Sequence, residues 1–180
     1  MTPPPQTDAP PKQGFRRVLG VDPGLATTGY GVVDGDGVAA SSIAYGTVRT
    51  RTRDSRAARL ATLFDGLAAL IEEYHPDEMA LEQHYVATNV RSAMTLGEAR
   101  AAAMLAAATH GLEVHEYPAA TIKQTVTGYG AAPKEQVQAM VAMHLQLAEA
   151  PRSLDASDAL AVALTRLASL RMEALLARSS

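Results

Sequence analysis

The sequence predicts a mixed α/β fold, a five-stranded sheet covered by helices. Two observations predict it. Three short strand patterns run consecutively before any helical pattern appears, and helices and strands then alternate until two closing helices. Residues 16-22 and 28-34 read as strands on either side of "DPGLATT", and 38-50 reads as a third after the "DGDG" turn. Three consecutive short strands predict an antiparallel meander. The next segment has Leu60, Leu63, Phe64, Leu67, Leu70 and Ile71 at helical spacing, with Asp54 as the expected cap and Pro76 as the stop. "DEMALEQ" reads as the fourth strand. Residues 89-111 form an alanine-rich helix ending at Gly111, and "LEVHEYP" is the fifth strand. Helices are expected over 133-147 and 155-178.

Composition bounds the function. The chain has 180 residues, 47% of them apolar, enough for one domain with a sizeable core. The absence of cysteine excludes a disulfide scaffold and a thiolate metal site. The histidines at 75, 84, 110, 115 and 144 show no zinc spacing. No apolar run approaches the roughly 20 residues of a membrane span, and no signal peptide is visible, so a cytoplasmic protein is expected. A net charge of -3 gives no general attraction for nucleic acid, so any DNA contact has to come from local basic residues.

Three segments are expected. Residues 1-14 hold five prolines and little to bury, which predicts disorder. Residues 15-172 form a single domain. Residues 173-180 are a helical tail expected to fray. Small side chains on the alanine-rich helix permit close approach of another helix, either within the subunit or from a second copy. Arg49, Arg51, Arg53, Arg56 and Arg59 make a basic stretch that either tracks duplex DNA or solvates a helix start, and the second is favoured.

The acids carry the chemistry. Asp22 stands at the C-terminal end of the first strand and Glu82 at the end of the fourth. Asp155 and Asp158 are three apart at the head of the last helix and share a face. Sites in open sheets form at the carboxyl ends of parallel strands. If the fourth strand returns beside the first, Asp22 and Glu82 meet there, and the last helix can deliver the other two. Each acid has a local alternative: a turn residue at 22, a surface charge at 82, a cap and a first-turn acid at 155 and 158. Together, four carboxylates in one volume repel each other unless divalent cations hold them. Oxygen-only ligands suit magnesium or manganese, and two such ions about 4 Å apart can activate water and stabilise the leaving oxygen of a phosphodiester.

Four stretches in order, "VLGVDPGLATTGYGVV", "ALEQHYVATNVRSAMTLGEARAAA", "YPAATIKQTVTGYGAAPKEQVQAMV" and "LDASDALAVAL", resemble the RuvC family of Holliday-junction resolvases, within the RNase H-like nuclease superfamily. With the segments between them they cover residues 16 to about 167. The resemblance implies an RNase H-like sheet of three antiparallel strands and two parallel ones, with helices on both faces. It implies a homodimeric endonuclease that cuts four-way DNA junctions symmetrically in recombination and repair. Two magnesium ions per site, or manganese in their place, would serve it, and the branch-migration proteins RuvA and RuvB would work alongside. Position by position, the metal ligands and catalytic residues are Asp22, Glu82, Asp155 and Asp158. Some relatives carry His where this chain has Asp155, and Ala101 replaces a usual glycine. The junction-probing aromatic falls at Tyr85, and the basic DNA-binding positions are Lys123 and Lys134. Asn89 joins the DNA-binding set and stands where the next helix begins, as its N-cap.

Two other readings compete with junction cutting. One is an RNase H-like nuclease acting on another nucleic acid. The other is a fragment of an actin-like ATPase, because "VDPGLATTGYGVV" also looks like the first phosphate loop of those proteins. The ATPases need two related domains and a second phosphate loop, which this sequence does not show.

Overall fold

The computed structural model describes residues 14–83 and 90–179. Ten elements follow in order: β1 (Arg16–Asp22), β2 (Thr27–Gly35), β3 (Ala40–Arg49), α1 (Arg56–Tyr74), β4 (Glu78–Gln83), α2 (Val90–Thr109), β5 (Glu113–Pro118), α3 (Ala119–Thr127), α4 (Lys134–His144) and α5 (Leu154–Ser179). The sheet order is β3-β2-β1-β4-β5. β1 pairs antiparallel with β2, and β2 with β3. β4 runs parallel to both β1 and β5. This is the strand arrangement that the resemblance implied.

The central strand has a core on each side. Val18 joins Val33, Ala80, Leu160 and Val162 under α5, whereas Leu19 and Val21 join Val32, Leu67, Met79 and Ala106 under α1 and α2. The period-2 alternation of a strand therefore fills two separate clusters. α3 and α4 cover the α5 side, so helices flank both faces.

α5 lies unusually close to the sheet because β1 and β2 present glycines beneath it. A side-chain carbon on Gly20 would lie 2.1 Å from the Ala159 carbonyl oxygen, and one on Gly29 would lie 1.9 Å from that of Asp155. These are backbone atoms, which do not move aside cheaply. The glycines thus set the height of α5 and bring its first turn to the end of β1.

Several expectations are corrected. The cap of α1 is Ser55, whose hydroxyl accepts a hydrogen bond from the Ala58 amide at 3.3 Å. Asp54 instead belongs to the preceding turn, its amide bonded to the Arg51 carbonyl. α3 was not anticipated. Its Ile122 and Val126 bury one turn apart, and Gly128 closes it in a left-handed conformation. Arg56 bonds to Glu98 and, at 3.2 Å, to Thr95, while Arg59 reaches Thr50 at 2.9 Å. Those two arginines tie α1 to α2 and to the end of β3, beyond solvating the helix start. α5 continues through Ser179 with its last nine described residues exposed.

Buried ion pairs fix the end of the sheet opposite Asp22. Arg17 donates to both carboxylate oxygens of Asp34, at 2.7 and 2.9 Å, and to the Tyr74 carbonyl at 2.8 Å. Glu78 accepts from Arg166 at 2.5 Å and from Arg16 at 3.0 Å. Among the described residues, no helix is long and apolar enough to cross a membrane.

Candidate active site

Strand pairing alone brings the first two acids together. The β1–β4 ladder ends at Val21 opposite Leu81, and the next residue on each strand is Asp22 and Glu82. Asp22 faces Gly29 on its other side. Since Gly29 is also where the head of α5 touches the sheet, Asp155 arrives beside Asp22. Asp158 follows one turn along the same helix face. All four acids are half-buried.

Their proximity shows in the electrostatics. Burial, and then the negative charges of Glu82, Asp158 and Asp155, push the Asp22 carboxyl up to about 7, with Lys134 pulling the other way. Lys134 donates to Asp158 at 3.1 Å. That hydrogen bond, the charge of Asp158 and the more distant charges of Asp22 and Glu82 hold the ammonium above the usual lysine range, against the opposing effect of burial. Lys123 and Lys134 line one cleft with Glu82 and Asp158. The structure therefore gathers the four acids and both lysines predicted from sequence. Tyr85 and Asn89 lie outside the described residues.

The donor set fits a hard cation, since every candidate ligand is a carboxylate oxygen. The surplus of negative charge that raises Asp22 is also what a divalent cation would neutralise. Among the described residues, no three acids or histidines converge into a ready cage. Asp158 in particular is turned onto Lys134.

The chain leaving Asp22 is pinned by residues that the sequence reading missed. The Thr28 hydroxyl donates to the Gly24 carbonyl at 2.8 Å and accepts from the Gly24 amide at 3.2 Å. The Thr50 hydroxyl donates to the Leu25 carbonyl at 2.6 Å. Pro23 and Leu25 are buried. The loop is thus held against the body. The available signal was the threonine pair just after "DPGLA", where hydroxyls commonly bond to loop backbone.

An open five-stranded sheet of this order, with acids at the C-terminal ends of two adjacent parallel strands and at the head of the last helix, defines an RNase H-like protein with an acidic candidate site. Comparison with known proteins narrows the class. The family model for crossover junction endodeoxyribonuclease RuvC matches residues 18–166. The RuvC of Heliobacterium modesticaldum is 48% identical over 147 residues, covering 82% of this chain and 91% of the relative. That of Geobacter sulfurreducens is 47% identical over 160 residues, covering 89% and 97%. The structure of Thermus thermophilus RuvC in complex with Holliday junction substrate superposes with a TM-score of 0.84 at 32% identity, covering 88% of this chain and 96% of that one. The chain belongs to the RuvC family.

Proposed function

We propose that this protein resolves four-way DNA junctions by paired, symmetric phosphodiester cuts during recombination and repair. The observation that carries the reading is that Glu82, Asp155 and Asp158 lie near enough to Asp22 at the end of β1 for their charges to act on it, in a chain that matches its RuvC relatives over most of their length. The structural neighbour bound to a Holliday junction supports the choice of substrate over other nucleic acids.

Asp22, Glu82, Asp155 and Asp158 would hold divalent cations, magnesium in the first instance, with manganese able to replace it and two ions per site. When bound, those ions supply an activated water and charge stabilisation at the scissile phosphate. The chain's own residues do the rest. Asp22 and Glu82 are fixed by the ladder, so their spacing is set before DNA arrives. Lys134 neutralises Asp158 in the metal-free site, and its ammonium would be within reach of a phosphate oxygen entering the same cleft. Lys123, on the same cleft, serves a neighbouring phosphate. Tyr85, three residues after Glu82 in the sequence, would stack on an unpaired base, worth about 1–3 kcal/mol. Asn89, by the family resemblance, joins the DNA contacts.

Two cuts on strands of like polarity require two sites, which a two-fold homodimer supplies. The alanines of α2 pack internally, Ala99, Ala103, Ala106 and Ala107 being buried. The opposite face of the helix carries Val90, Met94, Gly97, Ala101, Met104 and Leu105, all exposed. That apolar stripe is the proposed dimer contact. The nuclease unit is the single domain 15–172, with 1–14 dispensable. It works in the cytoplasm beside RuvA and RuvB.

The test is to offer the protein a synthetic four-way junction, a linear duplex and an RNA–DNA hybrid, with and without magnesium or manganese, and to map the products. Symmetric cuts confined to the junction support the reading. Preferential cutting of the hybrid would assign the site to another nucleic acid.

A further inference from the structure

The motif "GEARAAA" on α2 contains two charged side chains, Glu98, which pairs with Arg56, and Arg100, which neither the four acids nor the DNA contacts account for. Arg100 is only 15% exposed. It is surrounded by small residues that let α2 approach the sheet, with Ala99 and Ala103 buried on either side. One of its terminal nitrogens donates to the backbone carbonyl of Glu82, and the other donates to the Glu116 carboxylate. Glu116 sits on β5 opposite Leu81. One guanidinium therefore joins α2, the end of β4 and β5.

The contact falls at a sensitive place. Glu82 lies one residue past the last β1–β4 pair, and β4 ends at the next residue, Gln83. Strand pairing thus guides the backbone up to Leu81 on the β1 side, the side of Asp22, and only β5 pairs with Glu82 itself, opposite Tyr117. Arg100 gives the Glu82 carbonyl a charged donor, and Glu116 fixes the guanidinium so that the donor cannot swing away. Rotation of the Glu82 peptide would carry its side chain out of line with Asp22. A misplacement of about 1 Å in a reacting constellation costs on the order of 100-fold in rate.

We infer that Arg100 is a positioning residue. Through the Glu82 carbonyl it holds the Glu82 carboxylate in register with Asp22, and Glu116 orients it for that task. The inference rests on the proposed role of Glu82 in the cutting site. A guanidinium is required because a planar fork meets two acceptors at once, whereas a lysine ammonium acts as a single point charge.

The test compares wild type, Arg100→Met, Arg100→Lys, Glu116→Gln and Asp22→Asn. Two quantities are read well below each variant's unfolding temperature. One is the single-turnover rate on a saturated four-way junction, with junction affinity measured separately. The other is the magnesium concentration that half-saturates the thermal shift of the DNA-free protein, which is independent of cutting. Arg100→Met is expected to lower the rate about 10- to 100-fold and raise the magnesium midpoint, with junction affinity within about twofold of wild type. Arg100→Lys and Glu116→Gln should fall between, each about 3- to 10-fold slower, and Glu116→Gln should add nothing to Arg100→Met. If Arg100→Met does not fold, the two milder variants decide. Wild-type rates and midpoints in those two, or a loss in Arg100→Met confined to unfolding temperature, would overturn the inference. A wild-type protein that leaves the junction intact would instead overturn the proposed function, while the magnesium midpoint still reads the effect of Arg100 on the acids.

Discussion

The carbonyl of Asp155 occupies the space that a side chain on Gly29 would fill, and Gly29 is the cross-strand partner of Asp22. One missing side chain therefore connects the first acid of the site to the third. Gly29→Ala forces the head of α5 off the sheet. We expect it to destabilise the fold by about 1–3 kcal/mol and to depress junction cutting further than the stability loss explains. Gly97→Ala is the contrast for stability. Nothing lies within 4 Å of the added carbon, and replacing a mid-helix glycine should stabilise by up to about 1 kcal/mol. Calorimetry on both variants checks the pair.

The raised Asp22 carboxyl predicts a pH dependence with a definite sign. A carboxyl pushed up to about 7 in the fold binds its proton more tightly there than in the unfolded chain, where the ordinary value is 3.8. Its contribution to stability is full below pH 3.8 and is lost as pH rises to about 7. Asp22→Asn removes the penalty, so the metal-free variant should unfold several degrees above wild type at pH 8 and close to it at pH 4. Magnesium should raise the unfolding temperature of wild type at pH 8 and raise that of Asp22→Asn far less. Equal magnesium shifts in the two proteins would separate Asp22 from the cation site.

Buried and exposed ion pairs should differ in cost. Asp34→Ala leaves Arg17, whose side chain is 6% exposed, without its bidentate partner and is expected to cost about 3–5 kcal/mol. Glu98→Ala breaks the Arg56 pair, in which both side chains are a third or more exposed, and should cost at most about 1 kcal/mol. Urea unfolding of the two variants gives the comparison.

These examples show what the sequence carried and what it hid. Asp22, Glu82, Asp155 and Asp158 were legible because each sits at the end of an element whose pattern is clear, and element order alone places them together. The sheet was legible for the same reason. α3 was hidden because Ile122, Thr125, Val126 and Thr127 are β-branched and weaken the local helical signal. The pairing of Glu78 with Arg166 was hidden because 88 residues separate them and no local pattern marks either one. No local pattern marks Arg100, and only the folded chain shows it donating to the Glu82 carbonyl.

The lysines should read as phosphate contacts. Lys123→Ala and Lys134→Ala are each expected to slow cutting and to reduce the slope of log affinity against log salt by about 0.9, the change for one lost phosphate contact. Lys134→Ala has a second consequence, because it removes the cation that holds Asp158. Its magnesium midpoint should fall, since the metal no longer competes with an ammonium. Junction-binding titrations from low to high salt, with the thermal-shift midpoint alongside, check both statements.

Symmetry makes its own prediction. A heterodimer of one wild-type and one Asp22→Asn subunit has one working site. Given a junction in a supercoiled plasmid, it should nick one strand and stall, leaving open-circular DNA. Linear product from purified heterodimer, or full activity from a protein that stays monomeric on the junction, would refute the two-site account.

The most direct test of the central claim is the cutting rate of Asp22→Asn on a synthetic four-way junction in saturating magnesium, with binding measured on the same preparation. The acid cluster accounts for a rate at least about 1,000-fold below wild type with junction affinity unchanged or tighter, since a negative charge beside phosphate has been removed. Cutting by Asp22→Asn within a few fold of wild type would contradict it.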